Sequence, residues 1–235
     1  VIRRSDAFWK QRETFREQIL QIEGVEKAGF SRQVPGMNYS NNAFFNDNDP
    51  EKKTYLLQQA WVSFDYPQAL GVQLLDGRFF SREFGTDSTA VLINETAVKS
   101  LGLKEPVTGQ YILQPRGPKE YQRYKIIGVM KDFNITSVHK TIDPVCFSIL
   151  FPGGGDQFAT VRLSGNNNPA AIRDIEQKWK EFAPSQPFQY EFFTDTWNNL
   201  YSAEMKTGKI FILFSFLAIF IACLGLIGLV AFMTN

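Results

Sequence analysis

The residues of this chain that could perform acid–base or nucleophilic chemistry are few. The only histidine, His139, stands between Asp132 and Asp143, and a histidine beside a carboxylate can act as a general base. Cys146 is the one cysteine before residue 210, but it lies in an apolar, strand-like run, which is typical of a packed thiol. No Gly-x-Ser-x-Gly motif marks a nucleophile. The sequence therefore predicts no catalytic residues.

Metal and nucleotide sites are equally poorly supported. Asp47, Asp49 and Glu51 form an acidic cluster that could attract Ca²⁺, but it lacks the glycine and the distant glutamate of an EF-hand loop. We expect a solvated turn there. One histidine without nearby cysteines is a poor metal site. The glycine run at 153–155 precedes no Lys-Ser or Lys-Thr pair, and no Gly-x-Gly-x-x-Gly occurs. We therefore expect no cofactor, and a mechanical or binding role rather than an enzyme.

Charge and cysteine content exclude other classes of function. The formal net charge is +1, so no strong electrostatic field draws the chain to nucleic acid. Of the two cysteines, Cys223 lies in the apolar C-terminal stretch, so the rest of the chain has no disulfide framework. Val1 is not a start methionine, and the chain stops two residues after the apolar stretch. We expect a piece of a longer, multi-span protein.

Local patterns predict an α+β fold. Helices are predicted where apolar residues recur at helical spacing, and strands where they alternate or run together. The predicted helices are 8–22, 66–70, 95–101 and 169–182. The predicted strands are 25–31, two within 37–63, 90–93, 111–114, 124–130, 144–151, 158–163 and 188–192, and residues 74–80 read as a turn with apolar anchors. Asp65 and Asn94 are predicted helix caps.

The last part of this pattern is a β-α-β unit, built from the strand at 158–163, the helix that follows Asn168-Pro169, and a closing strand at 188–192. The opening helix with the strand at 25–31 resembles half of a second unit. Together they predict a split α/β sandwich, with residues 65 to about 130 inserted between its halves.

Residues 210–233 predict a transmembrane helix. The stretch contains no charged residue and no His, Asn or Gln, and a bilayer core needs roughly 20 apolar residues. Ala218, Ala222 and Gly225 share one helical face, and such small residues let two membrane helices approach closely. Residues 196–209 carry no proline, so a continuous helix is expected to join the body of the chain to the span.

Four segments resemble one known family. They are YPQALGVQLLDGRFFS at 66–81, AVLINETA at 90–97, YKIIGVMKDF at 124–133 and LAIFIACLGLIG at 217–228. Their order resembles that of the extracytoplasmic domain and following membrane helix of a MacB/FtsX-type ABC transporter permease, of a kind common in Bacteroidetes. The resemblance covers nearly the whole chain.

This resemblance implies a particular architecture. Residues 1–64 and 146–195 would form the two halves of a porter-like lobe, interrupted by a mixed, mainly β (Sabre-like) lobe at 65–145. Residues 196–209 would be a connecting helix and 210–233 the transmembrane helix. Glu204, Lys206 and Gly208 would belong to the lever between domain and membrane.

The resemblance also implies a function. The domain would lie in the periplasm, anchored in the bacterial inner membrane and its lipid, and would relay ATP-driven motion (mechanotransmission) to a substrate such as a peptide, drug or lipoprotein. ATP would be hydrolysed by a cytoplasmic ABC ATPase in a separate subunit or domain. The permease would pair with a second copy, and a periplasmic adaptor or outer-membrane protein is a further candidate partner.

Two other interpretations stay open from the residues alone. One is a single-span, membrane-anchored binding or sensor module without an ATPase partner. The other is a membrane-anchored hydrolase that uses His139 and an aspartate. The sequence does not identify the transported substrate or its direction.

Overall fold

The computed structural model describes residues 2–3, 11–37, 39–118, 120–135, 141–149, 158–165 and 168–195. Of the C-terminal stretch it describes residues 211, 214–216, 218–219, 221–226 and 233. The chain divides into two compact units, Val1–Glu191 and Phe192–Asn235. The fold described below is that of the first unit.

The described residues of this unit form ten strands and four α-helices. The strands are β1 (Ile2–Arg3), β2 (Val25–Ser31), β3 (Ser40–Asn46), β4 (Tyr55–Val62), β5 (Leu74–Gly77), β6 (Ala90–Asn94), β7 (Tyr111–Pro115), β8 (Tyr121–Met130), β9 (Val145–Ile149) and β10 (Phe158–Leu163). The helices are α1 (Arg12–Ile19), α2 (Tyr66–Leu70), α3 (Glu95–Ser100) and α4 (Asn168–Phe182), and a 3₁₀ helix spans Gly85–Thr89.

Six of these strands close into a ring. Their order is β4, β3, β7, β8, β6 and β9, and β9 returns to pair with β4. The β4–β9 and β6–β8 pairs are parallel and the other four are antiparallel. Ring closure leaves each of the six strands with a partner on both sides, so none of them is an unpaired edge.

The ring encloses one of three apolar clusters. Since side chains alternate along a strand, one face of every ring strand points inward. Ala97 of α3 and Leu101, the residue that follows α3, belong to the same cluster. The other wholly buried members are Phe44, Leu57, Val91, Ile93, Val107, Ile112, Tyr124, Ile126 and Cys146. A second cluster lies on the outer face of β4, β6 and β9, where Tyr66 of α2 packs.

The third cluster belongs to a smaller α/β layer. β10 lies between β1 and β2, and both of these pairs are antiparallel. Phe15 and Ile19 of α1 and Ile175 and Trp179 of α4 are buried against this sheet. The layer joins the ring through β2 and β4, whose one registered pair is Ser31 with Val62.

Most of the predicted elements are confirmed in the described residues. β2, α2 and β10 have the predicted bounds, and β7 and β8 form the predicted hairpin. α1 begins at Arg12, and residues 8–10 of the predicted helix lie outside the described residues.

Two predictions were wrong in type. Residues 74–77, predicted as part of a turn, form β5, which pairs with β8. Gly77, which indicated a turn in the sequence, is instead required for this pairing. It has a φ of +78°, and an added Cβ would lie 2.2 Å from the Ile127 carbonyl oxygen. The predicted closing strand at 188–192 is reduced to one bridge, Tyr190 with Ile2, because β1 already occupies the sheet edge beside β10.

The predicted membrane span is only partly described. Within the part of the chain that the structure describes, no helix has the length and apolar character that crossing a membrane requires. The transmembrane helix at 210–233 therefore stays a prediction.

Asn94 shows how one buried side chain positions three elements. As predicted, its Oδ1 caps α3 by accepting a hydrogen bond from the Ala97 N–H at 3.0 Å. The same oxygen accepts from the Val145 N–H at 2.8 Å, and Nδ2 donates to the Asp143 carbonyl at 2.9 Å. Asn94 thereby fixes the end of β6, the start of α3 and the start of β9.

We predict that Asn94→Asp destabilises the fold by about 1–3 kcal/mol, because Asn94 is wholly buried and the half-buried Asp143 carbonyl would lose its donor. The comparable change at an exposed position of β3, Asn41→Asp, should cost less than about 0.5 kcal/mol. Urea unfolding of the chain measures both. Equal destabilisation by the two variants would contradict this role for Asn94.

Candidate functional site

The first unit is entered and left at the same edge of its sheet. In β1, Ile2 pairs with Ala159 of β10 and also forms a bridge with Tyr190, near the end of the unit. Ile2 is buried and Tyr190 is exposed. The segment that enters the unit and the segment that leaves it are therefore hydrogen-bonded neighbours.

Aromatic contacts continue inward from this edge. The Tyr190 ring lies 5.5 Å from Phe188, centroid to centroid, and Phe188 lies 6.3 Å from Trp179 of α4. Trp179 meets Phe15 of α1 edge to face at 5.9 Å, and its Nε1 donates to the Gln186 carbonyl at 3.3 Å. Such aromatic pairs contribute about 0.5–1.5 kcal/mol beyond their buried area. They attach the leaving segment to both helices of the α/β layer.

An ion network joins α1 to the residue before α2 and to the loop that follows β5. Arg82 Nη2 lies 2.8 Å from Asp65 Oδ2 and 3.0 Å from Glu13 Oε2. Arg16 contacts the same two carboxylates, at 3.3 Å and 3.1 Å. Partial burial lowers the pKa of Arg82, but Asp65 and Glu13 outweigh it, so the pKa is raised overall. The network links the α/β layer to the loop after β5.

A second ion pair fixes that loop internally. Arg78 donates from both terminal nitrogens to the two carboxylate oxygens of Asp87, each at 2.7 Å, and also to the Phe79 carbonyl. Asp87 is wholly buried and accepts from the Ser81 N–H at 2.9 Å. The Asp87 hydrogen bonds raise the pKa of Arg78. Residues 78–87 are therefore held as one folded loop.

The ring interior carries a polar chain as well as its apolar cluster. Gln59 Oε1 accepts from Asn42 Nδ2 at 2.9 Å and from Gln114 Nε2 at 2.8 Å. Gln59 Nε2 donates to Ser148 Oγ at 2.8 Å. Tyr124 donates to Gln114 Oε1, at 3.3 Å. These bonds connect five strands of the ring across its interior, and a satisfied buried network of this kind fixes register.

The candidate chemical residues are placed as follows. Cys146 is wholly buried, and burial raises the pKa of its thiol, which confirms the packed thiol. Asp47 binds Arg123 at 2.7 Å, and Asp49 accepts from the backbone N–H groups of two residues of its turn. The described residues contain no group of three potential ligands that could hold a metal ion. His139 lies outside the described residues.

The predicted membrane and lever residues are only partly placed. Ala218, Ala222 and Gly225 are helical and exposed, and the structure does not test whether they pack against another helix. Glu204, Lys206 and Gly208 lie outside the described residues.

Sequence reasoning missed the ion network. Asp65 stands at the predicted cap position of α2 but makes no side-chain cap bond, and its carboxylate binds Arg16 and Arg82 instead. The positions of Arg16 and Arg82 in the sequence give no sign that these residues pair with Asp65. The hydrogen-bonded side chains around Gln59 left a weak indication in the sequence, because a glutamine interrupts the apolar face of an otherwise well-formed strand.

The two ion pairs of this region should differ in strength. Arg78→Ala should destabilise the unit by about 2–3 kcal/mol, because it leaves a buried carboxylate without its partner. Arg82→Ala should cost less than about 1 kcal/mol, because its pairs are partly exposed, and this cost should shrink at high salt. Urea unfolding at low and high ionic strength measures both. A larger loss for Arg82→Ala than for Arg78→Ala would reverse this ranking.

Solved structures with a similar fold include two transporter domains. The periplasmic region of MacB from Actinobacillus actinomycetemcomitans superposes with a TM-score of 0.55 at 15% identity, covering 80% of this chain and 85% of that one. The extracellular domain of the noncanonic ABC-type transporter YknZ from Gram-positive bacteria gives a TM-score of 0.53 at 13% identity, covering 80% and 97%. At such low identity these similarities establish the fold alone.

No curated protein sequence gives a significant match to the chain. The family comparison is positive: residues 4–178 match the family described as the MacB-like periplasmic core domain. That match covers well over half of the sequence. The chain therefore belongs to this family, as the periplasmic core domain of a MacB-like ABC transporter permease.

Proposed function

We propose that this domain relays ATP-driven motion from the inner membrane to a substrate in the periplasm. The observation that carries the proposal is the pairing of the entering and leaving segments, through the bridge between Ile2 and Tyr190. A displacement of the membrane segments that flank the domain would reach it at one edge. It would then act on the domain as a whole rather than pull its two ends apart.

The construction of the unit favours this role. Packed interiors have low compressibility and transmit strain. The aromatic series from Tyr190 to Phe15 connects the leaving segment to both helices, and the network around Arg82 connects α1 to the loop after β5. The ring has no open edge among its six strands along which it could shear. These contacts support movement of the unit as one body.

We also propose the division into lobes that the sequence suggested. Residues 1–64 and 146–195 would be the halves of a porter-like lobe, with a Sabre-like lobe at 65–145 between them. Two pairings support this: β2 with β10, and β4 with β9. The first joins residues 1–64 to a strand within 146–195, and the second joins them to a strand that begins at Val145, one residue before the second half.

The membrane part of the proposal extends beyond the described residues. Residues 196–209 would form a helical lever into a transmembrane helix at 210–233, with Glu204, Lys206 and Gly208 on the lever. The face that carries Ala218, Ala222 and Gly225 would pack against another helix in lipid.

The proposed assembly contains a cytoplasmic ABC ATPase, which would hydrolyse ATP, and a second copy of the permease. Its location would be the bacterial inner membrane, with this domain in the periplasm. A peptide, a drug or a lipoprotein is the proposed class of substrate. A periplasmic adaptor or outer-membrane protein would be a further partner.

The lever makes a direct prediction. Lys206→Pro should uncouple ATP turnover from transport, since a proline inside a helix removes a backbone hydrogen bond and costs about 3 kcal/mol. Lys206→Ala removes the same charge but keeps the helix, and is the matched control. Cells that lack the permease gene are first profiled for lipoprotein placement and for peptide and drug sensitivity.

Each variant is then tested for rescue of that profile, together with the ATPase activity of membranes that contain it. We expect the alanine variant to rescue. The proline variant should keep ATPase activity and a folded domain without rescue. Full rescue by Lys206→Pro would rule out a helical lever.

A further inference from the structure

One part of the outer surface of the ring is left open by the described residues. The outer face of β4, β6 and β9 is covered by Tyr66 of α2 and its neighbours, and Phe147 there is wholly buried. The outer face formed by β3, β7, the first half of β8 and the start of β4 differs. Leu56 of β4 is 62% exposed there and Tyr121 of β8 is 41% exposed.

Strand register places the apolar residues of this open region side by side. They lie in three cross-strand pairs, Leu56 with Ala43, Phe45 with Leu113, and Pro115 with Tyr121, and these six residues define the uncovered face. The rings of Phe45 and Tyr121 meet edge to face at 5.8 Å. Single exposed apolar residues are ordinary, but a continuous set across four strands is typical of an interaction surface.

Positive charge borders the uncovered face. The Lys52 ammonium lies 4.5 Å from the centre of the Tyr121 ring. Arg123 and Lys125 lie on the same side of β8 as Tyr121, because side chains alternate along a strand. Asp47 binds Arg123 at 2.7 Å, but no carboxylate of the described residues forms an ion pair with Lys52 or Lys125. The charge that remains on this face is therefore positive.

The backbone of Lys52 adds to this observation. Its φ is +46°, a left-handed conformation that is unfavourable for a residue with a Cβ. Glycine would adopt it at lower cost, whereas the lysine places a charge over the aromatic end of the face. Glu51 and Glu120 are exposed in the adjoining turns, beyond the ends of the strands.

We propose that the uncovered face binds an acidic amphipathic helix of a partner protein. A sheet face is ordinarily buried against a helix or another sheet, and the ring already packs α2 on its other outer face. The apolar stripe of the partner helix would cover Leu56, Phe45 and Tyr121. Carboxylates beside that stripe would meet Lys52 and Lys125, and charge complementarity of this kind disfavours a basic partner.

The position of the face favours a protein partner over a lipid surface. In the strand order, β3 and β7 lie beyond β10, β2 and β4, counted from β1. The edge at β1 is where the membrane segments would attach, which rests on the proposed function. The uncovered face is therefore on the part of the domain that is furthest, in strand order, from that attachment.

A synthetic helix tests the chemistry of the partner. The full chain in nanodiscs of neutral lipid is titrated against a fluorescein-labelled helix of about 20 residues, with leucine along one side and glutamate beside it. A second helix carries lysine in place of glutamate, and empty nanodiscs give the background. Fluorescence anisotropy should show that the acidic helix binds at least about ten times more tightly than the basic one.

Two matched variants test the location. Leu56→Glu should weaken binding of the acidic helix by about tenfold, because it places a like charge at a position that the helix covers. Leu75→Glu is the control: this leucine of β5 is 55% exposed but lies outside the uncovered face, so binding should be unchanged. Both leucines are largely exposed, so we expect both variants to fold.

Three results would overturn the proposal. The first is equal affinity for the two helices or no binding of the acidic one, and the second is an equal effect of the two variants. The third is self-association of the chain, or its binding to anionic vesicles, that Leu56→Glu abolishes and Leu75→Glu does not. It would assign the face to a second copy or to lipid. The assay needs neither ATP nor transport, so failure of the proposed relay of motion would not change its outcome.

Discussion

The parallel pairing of β9 with β4 is the constraint on which the rest of the domain depends. Five residues of β9 are in register with five of β4, from Gln58 with Val145 to Val62 with Ile149. The two strands are far apart in the sequence, so their pairing carries a loop-closure cost that must be recovered by burial. It is recovered inside the ring, where Cys146 and Phe44 are wholly buried, and on the outer face, where Phe147 packs against Tyr66. Without this pair the ring would be an open sheet with two unprotected edges.

Ring closure also positions the α/β layer. β4 is the strand that meets both β9 and β2, so the layer is attached to a strand that is itself held on both sides. α2 follows β4 directly and packs on β2 so closely that a Cβ at Gly29 would lie 2.4 Å from the Tyr66 Cα. Glycine is therefore required at that position. From this join the contacts run through α1 and α4 to the edge where Ile2 meets Tyr190. A single connected body thus links the ring to the two segments that enter and leave it.

Much of the local structure could be predicted from the sequence, because its causes are local. The patterns of VEKAGFS and FATVRL predicted β2 and β10, and Asn94 as a cap with Gly102 as a stop predicted the helix between them. Closure of the ring could not be predicted in this way, since no local pattern identifies β4 as the partner of β9. β5 was mistaken for a turn because Asp76-Gly77 normally signals one, whereas here the glycine allows close approach to β8. The ion network was missed for a similar reason: Arg16, Asp65 and Arg82 come from three separate segments that only the fold brings together.

The central claim is that the two ends of the domain move together, and a covalent link between them tests it most directly. Ile2→Cys and Tyr190→Cys are introduced into the Cys223→Ser permease and joined with a short bifunctional maleimide, with each single variant as the control. Directly opposed residues of an antiparallel pair have Cβ atoms about 4.5–5.5 Å apart, so the link should form readily. The account predicts that the linked permease still restores the phenotype of cells lacking the gene. Loss of that activity upon linking, with activity intact in the unlinked double variant, would show that the ends must separate and would contradict the account.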